Sequence, residues 1–135
     1  MQDFRNLEVW NKAHELTLQV YRITEGFPRT EMFGLTSQLR RSAASIAANL
    51  AEGCGRTQLE FAKFIQIAFG SASEAEYHLL LARDLGFVNP EDYERLTGRV
   101  VETKRMLNSL LKKIQFAAKA KHPVTTAPRS PKQLT

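Results

Sequence analysis

The chain has 135 residues, 43% hydrophobic and 24% charged, with a formal net charge of +5. That suffices for one domain with one sizeable core, and the balance is that of ordinary globular chains. No apolar run reaches the roughly 18–20 residues of a membrane span, and the opening MQDFRNLEVW has no apolar leader. The lone Cys54 excludes an internal disulfide and a cysteine zinc cluster, so a reducing, cytoplasmic setting without a membrane role is expected.

Helical periodicity dominates the body. Val9, Ala13, Leu16, Val20 and Ile23 follow 4-3-4-3 spacing and predict helix one over about 7–25, stopped by Gly26 and Pro28. Helix two is expected over 32–53, with Leu35, Leu39, Ala43, Ile46 and Leu50 inward. Ala44, Ala47, Ala48 and Ala51 form a flat second face, and Gly53 and Gly55 end the segment.

Helix three opens on Thr57-Gln58-Leu59-Glu60, a capping box. Its stripe is Phe61, Phe64, Ile65, Ala68, Ala72, Ala75, Leu79 and Ala82, with Ile67, Phe69, Tyr77, Leu80 and Leu81 outside it. Leu85-Gly86-Phe87 reads as a glycine stop with a hydrophobic contact. Helix four begins at Asn89-Pro90-Glu91-Asp92, an N-cap, a first-position proline and two acids facing the dipole. Tyr93, Leu96, Val100, Thr103, Leu107, Leu110 and Ile114 carry it to about 118.

Strand patterns and hairpin turns are absent, and the loops are short. The expected fold is therefore all-α, an up-down-up-down antiparallel four-helix bundle occupying residues 1–118. Residues 119–135 hold four cations, no acid and three prolines, and read as a disordered basic tail. Taking those four from the 19 basic residues leaves 15 against 14 acidic ones, so the body is near neutral.

Catalytic patterns are missing. There is no glycine-rich phosphate loop, no H-E-x-x-H, and no Glu three residues before His14 or His78 to begin a di-iron motif. A non-enzymatic protein with no cofactor and no metal is expected. Glu74 and His78, at i,i+4, suit a helix-surface pair. Cys54 reads as a small buried filler, although Arg56 beside it is of the kind that lowers a thiol pKa. Trp10 and Tyr21 read as core or interface aromatics.

Two basic constellations suit an anionic partner. Arg40 and Arg41 stand on helix two, with Arg56 and Lys63 across the following turn. Arg41, Ser45, Asn49 and Glu52 share one polar stripe, which fits phosphate contacts. It equally fits subunit hydrogen bonds or an ion pair from Arg41 to Glu52 or Glu60. The second constellation is the C-terminal half of helix four. Residues 99–121 hold seven cations and one acid, Glu102. Arg105, Lys112 and Lys119 recur every seven residues as one stripe, read either as a phosphate-backbone contact or as a solvated face complementing the helix C-terminus.

The strings LEVWNKAHEL (7–16), FPRTEMFGLTSQLRRSAASIAANLAEGCGR (27–56) and FGSASEAEYHLLLARDLGF (69–87) resemble the four-helix-bundle family of the 23S ribosomal RNA intervening-sequence proteins. The resemblance spans about residues 4–115. It implies a homopentameric ring and a relation to the accessory protein of diversity-generating retroelements, which works with a reverse transcriptase and nucleic acid. It carries RNA or DNA binding onto Arg40, Arg41 and Arg56. Independently, the excess apolar surface of helix three and the alanine face of helix two point to a homo-oligomer. Two functions are expected side by side: a nucleic-acid-binding accessory factor, or a protein-interaction scaffold with no nucleic-acid role.

Overall fold

The structure, a computed structural model, describes residues 3–121. Among them are four α-helices and no strand: α1 (Glu8–Thr24), α2 (Leu35–Cys54), α3 (Gln58–Asp84) and α4 (Pro90–Lys121). Short 3-10 turns at Phe4–Asn6 and Arg29–Glu31 precede α1 and α2. The second of these delays α2 by three residues against the periodicity. Glu31 Oε1 then accepts the Leu35 N–H at 3.0 Å and satisfies one of the orphan donors at the start of α2.

The other ends follow the chemistry of their sequence. Thr57 Oγ1 accepts the Glu60 N–H at 3.3 Å, which is half of the predicted capping box. The Glu60 carboxylate turns to Arg56 rather than reaching back to the cap. Gly86 takes φ +80°, where a side chain would be strained, and lets the Phe87 N–H reach the Ala82 carbonyl at 2.9 Å. The Phe87 ring then packs on Phe27, 5.7 Å between centroids, and ties the α3–α4 loop to the α1–α2 loop. Asn89 Oδ1 accepts the Asp92 N–H at 2.8 Å and caps α4. This helix runs to Lys121; residues 122–135, most of the segment read as a disordered tail, lie outside the described residues.

Each helix buries most of the stripe its spacing predicts, with Ile23, Phe64, Tyr93, Leu110 and Ile114 half-buried at its edges. Leu16, Val20, Leu39, Ile46, Leu50, Ile65, Leu79, Leu96, Val100 and Leu107 are completely enclosed. Burial of each such side chain is worth about 1.5–3 kcal/mol. The helices touch in a closed cycle, α1 on α2, α2 on α3, α3 on α4 and α4 on α1, with the diagonal pairs apart.

Cross-helix partners fix the register. On α1 and α2, Thr17 Oγ1 reaches the Ala43 carbonyl and Arg40 reaches Thr24. On α2 and α3, Ser45 bonds Ser71 and Ser42 bonds His78. On α3 and α4, Lys104 bonds Glu76. On α4 and α1, Arg95 donates to the buried Gln19 and Lys12 pairs with Glu102.

Gly53 has a different role from the one its position suggests. It does not end α2, which continues through Cys54. A Cβ on Gly53 would lie 2.6 Å from Phe64 Cβ, so glycine here permits the close approach of α2 and α3. The flat alanine face is split: Ala47 is buried, Ala44 and Ala51 are half-buried, and Ala48 is exposed.

Candidate nucleic-acid interface

The cations divide by what they touch. Arg40 is half-buried, donates from Nε to Thr24 Oγ1 at 2.7 Å and lies over the Tyr21 ring at 4.6 Å. It fastens α1 to α2. Arg56 pairs with both Glu52 and Glu60 and covers the Phe64 ring at 5.1 Å; its hydrogen bonds to the two carboxylates hold it charged. The alternative ion pair from Arg41 to Glu52 or Glu60 is therefore not formed, because Arg56 stands one turn from each acid and occupies both. Arg41 and Lys63 are exposed and have no partner among the described residues.

The structure does not bring the first constellation together. Fourteen helical steps of α2 from Arg40 to its end at Cys54, about 21 Å of axial rise, and the turn that follows separate Arg40 from Arg56. The second constellation is different. Arg105, Lys112, Lys113 and Lys119 are all exposed, and none has an ion pair among the described residues. Lys104, next to them in sequence, turns inward to Glu76 at 3.0 Å and to the Phe69 ring at 5.1 Å, and leaves the stripe. Arg105 and Lys113 line a groove of about 370 Å³ together with Leu7, Glu8, Val9, Met106, Ser109 and Leu110.

Two residues of this face, Ser109 and Phe116, carry no charge and are absent from the stripe the sequence suggests. Phe116 is 76% exposed. The positions 105, 109, 112, 116 and 119 follow 4-3-4-3 spacing, so Arg105, Ser109, Lys112, Phe116 and Lys119 share one helical face. Extending the seven-residue period by its half-step would have found both Ser109 and Phe116.

The remaining candidates for chemistry are structural in their surroundings. Burial pushes the Cys54 thiol above its ordinary pKa and the Asp3 carboxylate adds to this, the reverse of activation by Arg56. His78 does not stand as a surface pair with Glu74. Its Nδ1 lies 3.3 Å from Ser42 Oγ between α2 and α3, where burial lowers its pKa against an opposing pull from Glu74. Trp10 is half-buried, stacked on His14 at 5.0 Å and edged by Phe4. Among the described residues no group of three or more His, Cys, Asp or Glu side chains is placed to hold a metal ion. Nor is any helix among them long and apolar enough to cross a membrane.

The family model of the 23S rRNA-intervening sequence protein matches residues 5–109. The chain belongs to this family. A solved structure from Bacteroides thetaiotaomicron, a protein of unknown function from the S23 ribosomal protein family, is similar with a TM-score of 0.71. It is 26% identical over 77% of this chain and 95% of its own. No curated protein matches the chain. The family match ends within α4, so Arg105 and Ser109 lie inside it while Lys112, Phe116 and Lys119 lie beyond it.

Proposed function

We propose that this protein is a non-enzymatic, homo-oligomeric accessory factor that binds RNA or DNA through the exposed face of α4. The observation that carries this reading is the contrast among its cations. Arg5, Lys12, Arg40, Arg56, Arg83, Arg95 and Lys104 engage acids, hydrogen-bond acceptors or rings within the fold. Arg105, Lys112 and Lys119 gather on one helix face, with Lys113 beside it, without such partners, on a stretch of α4 with no acid after Glu102. Free cations at regular spacing suit a phosphate backbone, whose contacts position without reading sequence.

The subunit is read as an up-down-up-down antiparallel bundle. The order of partners supports this: Ser45 with Ser71 and Ser42 with His78 on α2 and α3 run in opposite directions, as do Lys12 with Glu102 and Gln19 with Arg95 on α1 and α4. Self-association is supported by the exposed Ile67 and Tyr77 on α3. Family resemblance supplies the number five and a place beside a reverse transcriptase or another protein partner in the cytoplasm. A ring would repeat each weak patch and raise avidity without new contacts.

The test is binding of structured RNA and duplex DNA across a salt series by full-length protein and by a chain ending at Lys121, with oligomer mass measured in each sample. Three phosphate contacts per chain give a log–log salt slope of about −2 to −3. Binding that survives the truncation and falls on Arg105→Glu/Lys112→Glu supports the α4 face. Loss of binding with the truncation assigns it to residues 122–135. An intact oligomer that binds no nucleic acid, yet captures a protein after nuclease treatment, returns the scaffold reading.

A further inference from the structure

Phe116 is the anomaly of the basic face. Its neighbours on α4, Leu107, Leu110, Leu111, Ile114 and Ala118, turn wholly or partly inward, while Phe116 leaves 76% of its surface in water. It stands four residues after Lys112 and three before Lys119, about 6 Å and 4.5 Å of axial rise. We propose that the α4 face binds single-stranded nucleic acid, with a base stacked on Phe116 and flanking phosphates on Lys112 and Lys119. This rests on the nucleic-acid reading above and narrows it to one class of strand.

Charge decides between the possible occupants. A second copy meeting this face about a two-fold axis would set Lys112 and Lys119 against their own counterparts, and like charges facing one another oppose association. A head-to-tail neighbour in a ring would have to offer acids to both lysines, a case read by the oligomer mass of Phe116→Ala. A lipid surface requires a broad apolar face, whereas the exposed uncharged neighbours on α4 are Ser109, Gln115 and Ala120, and Leu59 of α3, beside Gln115 and Lys119, adds one apolar side chain to Phe116. A duplex presents phosphates to the lysines but keeps its base faces stacked inside, so the ring would gain little. A single strand offers an anionic backbone and free π-faces together, the pairing that sequence-tolerant single-strand binders use.

The experiment is anisotropy titration of full-length protein with labelled 12-nucleotide unstructured single strands, RNA and DNA, and with a hairpin duplex of matched charge. The single strand should bind at least about fivefold tighter than the duplex. Phe116→Ala should lose about fivefold or more on the single strand with little change on the duplex, and Phe116→Trp should restore it. Phe116 is exposed, so the variants should fold; circular dichroism and oligomer mass verify this.

Equal binding of single strand and duplex, or an unchanged Phe116→Ala, overturns the inference. If Arg105→Glu/Lys112→Glu nevertheless abolishes binding, the broader nucleic-acid reading survives without it. No binding of any strand by wild-type protein overturns both. Loss of the oligomer in Phe116→Ala assigns the ring to a subunit contact, and tighter binding to anionic vesicles than to oligonucleotide assigns the face to lipid; either overturns the inference.

Discussion

Arg40 Nε donates to Thr24 Oγ1 at 2.7 Å, and the same threonine hydroxyl donates back to the Val20 carbonyl, also at 2.7 Å. A charged group thus completes a chain of hydrogen bonds into buried backbone at the α1–α2 contact, while its guanidinium shields Tyr21. Adjacent in sequence, Arg41 faces the other way and is exposed. Two arginines that look alike as a pair do different things because consecutive residues on a helix lie about 100° apart.

The first prediction follows from that contact. Arg40→Ala should lower stability by about 1–2 kcal/mol, the worth of a charged hydrogen bond with a ring contact. Urea unfolding measures this, and an unchanged midpoint would remove Arg40 from the packing account. Nucleic-acid affinity of the folded variant should stay within about twofold of wild type if binding runs through the proposed α4 face, since Arg40 is held against Thr24 and Tyr21 at the α1–α2 contact.

Gly53→Ala should destabilise the protein by about 1–3 kcal/mol. In an open helix this substitution gains up to about 1 kcal/mol from propensity, so the sign is informative. The obstacle is Phe64 Cβ at 2.6 Å, an atom fixed to the α3 backbone that cannot swing aside. A variant as stable as wild type in thermal or urea unfolding would show that α2 and α3 separate without penalty.

A third prediction concerns acid. Burial lowers the folded-state pKa of His78 below its ordinary 6.5, so between those values the unfolded chain binds more protons. Its contribution to stability is therefore complete above pH 6.5 and is lost as pH falls below it, until the folded-state value is passed. Melting curves from pH 7.5 to 5.5 should show a steeper loss for wild type than for His78→Gln. Parallel curves would place the ring in water.

For the α4 face, Arg105→Glu/Lys112→Glu should weaken oligonucleotide binding by at least about tenfold and flatten the salt slope by about 1.5–2, as expected for two lost phosphate contacts. Arg41→Glu and Lys63→Glu should change it little. Were Arg41→Glu the more damaging, the interface would move to α2.

Much of the fold was readable because one signal, apolar spacing at 3–4 residues, was consistent through all four helices. The stripe from Leu35 to Leu50 is buried throughout, and Gly86 and Asn89 act as the stop and the cap their types suggest. Gly53 was misread because a glycine near a helix end looks the same whether it frees the backbone or admits a neighbour; only the position of Phe64 separates the two. The candidate site was harder to read. A sequence lists Arg40, Arg56 and Arg105 as equivalent charges, and the difference between them lies in Thr24, which only folding brings to Arg40, and in Glu52 and Glu60, each four residues from Arg56 and held by it across the α2–α3 turn. Phe116 was passed over because an aromatic on a helix is ordinarily core, and its direction is settled by the three-residue offset from Lys119.

The unequal lengths of α1 and α4 have a further consequence. The 17 residues of α1 begin at Glu8, in the groove lined by Arg105 and Lys113, whereas the 32-residue α4 continues to Lys121. Past that groove, among the described residues, the last turns of α4 rest on the first turns of α3, where Leu59 and Ala62 face Gln115, Ala118 and Lys119. A helix end supported from one side frays sooner than the doubly supported middle. Backbone amides from Gln115 onward should therefore exchange with deuterium well before those around Val100. A polyanion bridging Lys112 and Lys119 would bind only the wound helix, so its arrival should slow that exchange and couple occupancy of the face to the winding of its own last turns.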